Sequence, residues 1–308
     1  MLKNILDDQE LAKILTNNDN YEKIEAELHT VSYVDDTYHC VGIQNPIHMQ
    51  QFVNEFLNIL TEYFNCNRLK LNKDKTSLLL CPQAKDDNII NNVTIRNTDD
   101  TEHIKPTRQI KILGFVTNSR CRHDALVSKI LTECSNVINK TIKIRGILTM
   151  RSKQMIMESQ VLSRVRYISS FLASESEEIK QKIYKLIHRA ARFVLGSYCF
   201  KTSNDNIMKK VGWDKPCSLV DKASAKFIHR VTSSGKPAFL KSYFRMPRSR
   251  AMADISTSFI PKSNKSKRTA VFIGVHNYNR IPLTLCSLTP TQLTQKLKHQ
   301  NLLPSKVS

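Results

Sequence analysis

Glycine is scarce in this chain, at seven of 308 residues, which argues against a loop-rich β architecture and for long helices. There is one tryptophan, and no run of apolar residues approaches the ~20 that a membrane span requires. The opening stretch, Met1 to Asp8, has no long apolar core of the kind a secretion signal carries. Eight cysteines are present, but none forms a C-x-x-C pair, and the nine histidines do not join them at zinc-finger spacing. They read as reduced, mostly buried thiols of an intracellular protein, nuclear or cytoplasmic, with no membrane partner.

Charge is abundant and unevenly placed. Residues 1–100 hold 9 Lys and Arg against 16 Asp and Glu, whereas residues 101–308 hold 38 against 11. An acidic front and a strongly basic back point to a polyanionic partner for the second part, most often nucleic acid.

One stretch organises the rest: Val31-Ser32-Tyr33-Val34-Asp35-Asp36-Thr37-Tyr38-His39-Cys40-Val41. Two runs rich in β-branched and aromatic residues flank paired aspartates, which predicts a β-hairpin with the acids at its turn. Adjacent carboxylates repel unless a cation sits beside them. The turn is therefore either solvated and incidental, or it presents oxygen ligands to a divalent ion such as Mg2+. Asn45-Pro46 then starts a helix, whose apolar positions Met49, Phe52, Val53, Phe56, Leu57, Leu60, Tyr63 and Phe64 recur at helical spacing up to Asn65-Cys66-Asn67. Short strands are expected at 68–71 and 77–81, around Asn72-Lys73-Asp74-Lys75-Thr76, and at Val93-Thr94-Ile95. A longer strand is expected at Gln109–Val116, where Gly114 implies a bulge or a close backbone approach.

Taken in order, these stretches resemble the reverse transcriptases of non-LTR (LINE-like) retrotransposons. Tyr33-Val34-Asp35-Asp36 looks like the metal-binding hairpin, Leu69 to Thr76 is similar to the segment that follows it, and Ile112-Leu113-Gly114-Phe115 resembles the motif that grips the primer. Tyr278-Asn279-Arg280-Ile281-Pro282-Leu283 resembles the family's aromatic-Asn-x-Leu-Pro signature, with Tyr where Trp is usual and Ile281 where Leu is. The resemblance implies RNA-directed DNA polymerase (nucleotidyltransferase) chemistry with two Mg2+ ions, on an RNA template paired with a DNA primer. Asp35 would bind metal directly and Asp36 would support it. Leu113 and Gly114 would lie at the primer grip. Lys75 would protonate the leaving pyrophosphate, although read by itself it is equally a solvated loop lysine. Two family motifs, D-x-x-x-A-F-D and Q-G-x-x-x-S-P, do not occur in the sequence. The expectation is a truncated enzyme, the downstream part of a retroelement reading frame, inactive alone because the first catalytic aspartate is missing. The alternatives are a non-catalytic basic helical nucleic-acid-binding protein, or a relic without function.

The expected fold is α+β. It comprises a helical lead-in at 1–28, a partial polymerase palm at 29–118 (hairpin, helix and short antiparallel strands), a helical thumb at 119–198 and a basic helical region at 199–308. In the lead-in, Ile5, Leu11, Ile14, Leu15 and Ile24 are the apolar positions, and Asn17 to Asn20 divides them. The thumb helices are expected from Asp124 to near Gly146, from Arg151 to Leu172, and from a capping box at Ser174-Glu175-Ser176-Glu177 to Gly196. In the second, Met155, Ile156, Leu162, Val165 and Ile168 face inward, leaving Arg151, Lys153, Arg164 and Arg166 for nucleic-acid phosphates. Further helices are expected at 206–211 and 216–230, with Trp213 as a core anchor. Lys262 to Arg268 reads as a basic arm, and a small helical tail follows from Thr269, with Thr289-Pro290 at a helix start.

Overall fold

The computed structural model describes residues 26–33, 36–43, 49–69, 71–81, 93–96, 101–120, 122–196, 202–236, 238–245, 254–258, 269–298 and 302. Most of the expected lead-in, the hairpin tip Val34-Asp35, the Asn45-Pro46 helix start and the Lys262–Arg268 run lie outside them. The chain is mixed α+β and divides into two compact units, Met1–His123 and Asp124–Ser308. No described helix is long and apolar enough to cross a membrane.

Among the described residues, the first element of the first unit is the expected hairpin. Strand β1, Ala26–Tyr33, pairs antiparallel with β2, Asp36–Ile43, in an unbroken register from Ala26↔Ile43 to Tyr33↔Asp36. Period-2 alternation gives the hairpin two faces. Leu28, His39, Val41 and Ile43 share one face, and Val31, Tyr33, Asp36 and Tyr38 share the other. The first face packs on helix α1, Met49–Cys66, which buries Phe52, Val53, Phe56, Leu57 and Leu60. His39 is fixed there by Thr30 Oγ1 at 3.0 Å and lies edge-on to Phe56, with ring centroids 4.8 Å apart. Seven large side chains buried in this cluster supply most of its stability, at about 1.5–3 kcal/mol each.

Past α1 the strands depart from expectation. The described residues of 68–71 form no strand, because Arg68 and Leu69 complete the end of the helix. Arg68 adopts a left-handed conformation (φ 57°), and the amides of Arg68 and Leu69 donate to the carbonyls of Asn65 and Phe64 at 3.0 and 2.8 Å. This is a Schellman closure with arginine in the glycine position. The remaining strands are short: β3 Leu78–Leu79, β4 Val93–Arg96, β5 Thr101–Ile104, β6 Pro106–Thr107, β7 Gln109–Ile112 and β8 Phe115–Asn118. The described strands of this unit pair two by two, and one pair, β3 with β6, is parallel rather than antiparallel. The long strand expected at 109–116 is instead the β7–β8 hairpin. Leu113 (φ 48°) and Gly114 (φ 84°) both have positive φ between the paired residues Ile112 and Phe115, as a two-residue type I′ turn requires. Nothing lies within 4 Å of a Cβ built on Gly114, so its role is conformational freedom, not close approach.

The second unit is helical. Helix α2, Asp124–Lys143, buries Leu126, Val127, Ile130, Cys134 and Ile138. The next helix starts on the Thr149 cap as α3, Met150–Met157, passes through a π turn at Glu158–Leu162, and continues as α4, Ser163–Leu172. That turn overturns one expectation: Met155 is 62% exposed, whereas Met157 is fully buried. An unbroken 3.6-residue period carried back seven residues from Leu162 lands on Met155. The wider π turn inserts one residue and shifts the phase.

Helix α5, Glu177–Leu195, is capped by Ser176, whose Oγ accepts from the Ile179 amide at 3.4 Å, and it ends on left-handed Gly196. The expected capping box is absent. Ser174 donates its hydroxyl back to the Phe171 carbonyl, and the residue three past the true cap is Ile179, which has no carboxylate. Helices α6, Asn204–Val211, and α7, Pro216–Ser234, follow, each closed by a left-handed glycine. A strand pair not foreseen, β9 Phe244–Arg245 with β10 Ser256–Thr257, precedes α8, Ala270–Asn279, and α9, Pro290–Lys296. Helices α7 and α8 pack so closely at Gly274 that a Cβ there would meet Ile228 Cγ1 at 2.7 Å. Their shared core contains Ala225, Ile228, Val275, Tyr278, Ile281 and Leu293. Thr289 caps α9 in a complete capping box with Gln292.

Of the six cysteines described, Cys134 is buried, Cys286 is partly buried, and Cys40, Cys66, Cys81 and Cys217 are exposed. The expectation of mostly buried thiols therefore fails. Cys40 falls on the outward side of its strand, and Cys66 sits in the last, solvated turn of α1.

Candidate functional site

The acidic hairpin and the Leu113-Gly114 turn, 75 residues apart in sequence, meet in the fold. Tyr38 lies on the hairpin face opposite α1, two residues along β2 from Asp36. Its hydroxyl donates to Asp36 Oδ2 at 3.2 Å and accepts from the Leu113 amide at 3.3 Å. One side chain thus ties a carboxylate at the strand end to the backbone of the second turn. Asp36 is exposed.

Leu113 is 44% exposed and holds a left-handed conformation that costs a non-glycine residue about 1–2 kcal/mol. Asp35 lies outside the described residues.

A divalent metal would find suitable oxygen chemistry in the Asp36 carboxylate. Carboxylate oxygens suit Mg2+. Among the described residues, however, no group of three or more His, Cys, Asp or Glu side chains is placed to hold a metal ion. No reaction step is therefore assigned to such an ion.

Lys75 sits on a single 3-10 turn, Lys73–Lys75, which Asn72 organises. The Asn72 side chain accepts from the Lys75 amide at 3.3 Å, and its carbonyl accepts from Thr76 Oγ1 at 2.7 Å. The Lys75 side chain is exposed.

The four basic residues expected to meet phosphates separate into two kinds. Arg151 and Arg166 are exposed and have no acidic partner among the described residues. Lys153 instead sits over the Phe193 ring, 5.8 Å from its centroid. Arg164 donates to Glu133 Oε2 at 2.9 Å. That pair is part-exposed, so it contributes about 0–1 kcal/mol, but it does occupy the guanidinium. Two lysines that sequence reasoning did not single out, Lys226 and Lys298, lie within electrostatic reach of Arg166's neighbourhood. The available signal was the i, i+4 spacing of Lys222 and Lys226 on a helix that also carries Asp221 and Arg230.

Trp213 is the expected core anchor. It is 8% exposed, and its Nε1 donates to Glu158 Oε1 at 2.8 Å, joining α6's end to the π turn. Gln154 Nε2 donates to the same oxygen at 3.0 Å.

The Tyr278–Leu283 stretch does packing work. Tyr278 is buried and stacked on His229, and the Asn279 side chain bonds both the amide and the carbonyl of Ile255, at 3.2 and 2.9 Å. Arg280 pairs with Asp221 at 3.1 Å. An open cleft of about 580 Å3 beside it is lined by Asp205, Asp214, Asp221, Lys209, Lys215 and Arg280 among others. Its acids are each bonded to a cation, through Lys215–Asp205, Lys222–Asp214 and Arg280–Asp221, so it has little charge left for a ligand.

No family model, no curated protein and no solved structure matches this chain.

Proposed function

We propose that the first unit is part of a reverse-transcriptase palm, and that the second is a basic helical module holding the nucleic acid. The substrate would be an RNA template paired with a DNA primer. The single observation carrying this reading is the Tyr38 bridge between Asp36 and Leu113. It joins two of the four motifs on which the family resemblance rests, and it sets a carboxylate beside an exposed turn where a primer end would lie.

The role proposed for Asp35 and Asp36 is to supply oxygen ligands to Mg2+, which would activate a primer hydroxyl and steady the leaving phosphate. Lys75, exposed on its own turn, would neutralise and protonate the leaving pyrophosphate. The 308 residues carry no D-x-x-x-A-F-D motif. The chain by itself is therefore expected to bind primer–template without extending it.

A second reading, a non-catalytic nucleic-acid-binding protein, is favoured by one observation. Residues 124–308 hold 33 Lys and Arg against 10 Asp and Glu, enough for phosphate binding without any metal.

Binding of a recessed primer–template, measured by fluorescence anisotropy at constant ionic strength, separates the two. The polymerase reading expects Mg2+ to tighten binding about fivefold or more, the lower end of typical coupling between sites. Asp35→Asn and Asp36→Asn should abolish that gain while leaving metal-free binding intact. Indifference to both Mg2+ and the two substitutions would leave only the second reading standing.

A further inference from the structure

We propose that the turn joining α2 to α3, residues 144–149, is a wedge that enters a nucleic-acid duplex at a base step. Its apolar tip, Ile147, parts the bases, and Lys140, Lys143 and Arg151 meet the flanking phosphates. The inference rests on the nucleic-acid reading above and gives it a location and a mode.

The turn is firmly held. At the end of α2, Thr141 is buried and its hydroxyl donates to the Val137 carbonyl at 2.7 Å, while the Asn139 side chain accepts from Arg189 on α5 at 2.6 Å. The amides of Ile144, Arg145 and Ile147 then donate to the carbonyls of Thr141, Ile142 and Ile144, each at 3.2 Å. Thr149 closes the turn by capping α3 through the Ser152 amide at 3.1 Å.

Its apolar side chains nevertheless stay outside. Ile147 is 82% exposed, the most of any large apolar residue among those described, and Ile144 and Met150 are 47% and 48% exposed. Three such side chains at three-residue spacing are more than the scattered single residues that any surface carries. Beside the tip, Gly146 is not among the left-handed glycines, and a Cβ built on it meets nothing within 4 Å. Neither the turn nor the packing requires glycine there, whereas close approach of a ligand does.

Charge selects the ligand. From Cys134 to Met157 the chain carries five bases and no acid. Lys140, Lys143 and Arg151 are exposed and make no ion pair among the described residues. The two lysines suit the carbonyl end of α2. Arg151 instead stands in the first turn of α3, where the helix dipole disfavours a cation and no acid offsets it. A polyanion at the turn answers all three. Segments that enter a membrane surface are rich in Trp and Tyr, but no Phe, Trp or Tyr occurs from Asp124 to Arg166. Isoleucine and methionine are among the side chains that wedge base steps apart.

The test uses the full chain and a labelled RNA–DNA duplex without Mg2+, so the hairpin reading does not enter. Ile147→Ser should weaken binding about tenfold or more, the scale of one large apolar side chain left in water. Its slope of log affinity against log salt should equal the parent's. Lys140→Gln, Lys143→Gln and Arg151→Gln combined should instead lower that slope by about 2–3, roughly one per phosphate contact. Gly146→Ala should also weaken binding, although its Cβ touches nothing in the free protein. Lys182→Gln is the control, since Lys182 pairs with Glu178 on α5, and should bind as the parent does. All variants should keep the parental thermal melt. The parent should raise the fluorescence of 2-aminopurine placed along the DNA strand, and Ile147→Ser should not. Parental affinity in Ile147→Ser, or the same 2-aminopurine signal with and without Ile147, overturns the proposal while the nucleic-acid reading stands. A chain that binds no duplex overturns both. Weaker binding of Ile147→Ser to vesicles of phosphatidylserine and phosphatidylcholine, with duplex binding unchanged, marks a membrane-facing turn and also overturns it.

Discussion

Leu113 holds a conformation that its side chain opposes, and its amide is tied to Tyr38 across the turn. Replacing it with asparagine, which tolerates positive φ, should raise the unfolding free energy by about 1 kcal/mol. Gly114→Ala should lower it by a similar amount. Both are read from urea midpoints at unchanged slope. A destabilised Leu113→Asn would mean that the leucine packs against something essential. His188 offers a second residue-level test, in pH. Burial first, and then the nearby Arg192, push its imidazolium below the ordinary histidine range. The folded chain therefore binds that proton less readily than the unfolded chain. Stability from the neutral ring is full above the unfolded value near 6.5 and falls as pH drops below it. The Tm should decline from pH 7.5 to 5.5, and His188→Gln should flatten that decline. At this scale the sequence was readable at Trp213, whose size and single N–H suited the buried anchor it proves to be. It was silent on Arg164, because the partner acid, Glu133, lies 31 positions away on another helix.

Whole helices were legible because apolar spacing survives translation into burial, as α1, α2 and α5 illustrate. What misled was punctuation. Ser174 and Ser176 both look like caps, and only the fold decides which serine precedes the first helical turn. Ser176→Ala should cost about 1 kcal/mol in chemical denaturation, and Ser174→Ala much less. Equal losses would restore the capping box as a structural feature. The π turn at Glu158–Leu162 was invisible because no residue type marks it. Its anchor is long-range, from Trp213 to Glu158. Trp213→Phe keeps the aromatic bulk but removes the N–H, and should cost about 2 kcal/mol, the scale of a hydrogen bond to a charged group. A value near zero would mean that Gln154 alone satisfies the carboxylate. The strand at 109–116 was misjudged for a related reason. Its apolar residues run on through Ile112, Leu113, Phe115 and Val116 with no Asn-Gly or Asp-Gly pair to mark a turn, and only two positive φ values reveal a hairpin.

For the whole molecule, the uneven charge was the most informative feature that composition offered, and it pointed to a polyanion. Composition could not say where that partner sits. Of the four basic residues proposed for phosphates, Arg151 and Arg166 stand exposed, Arg164 pairs with Glu133, and Lys153 lies over the Phe193 ring. The central claim is that the acidic hairpin stands at the primer end. The most direct measurement replaces Mg2+ with Fe2+ on a bound primer–template and generates hydroxyl radicals with peroxide and ascorbate. The account predicts cleavage concentrated at the primer 3′ end and lost in Asp35→Asn and Asp36→Asn. Cleavage spread evenly along the duplex, or unchanged in those variants, would contradict it.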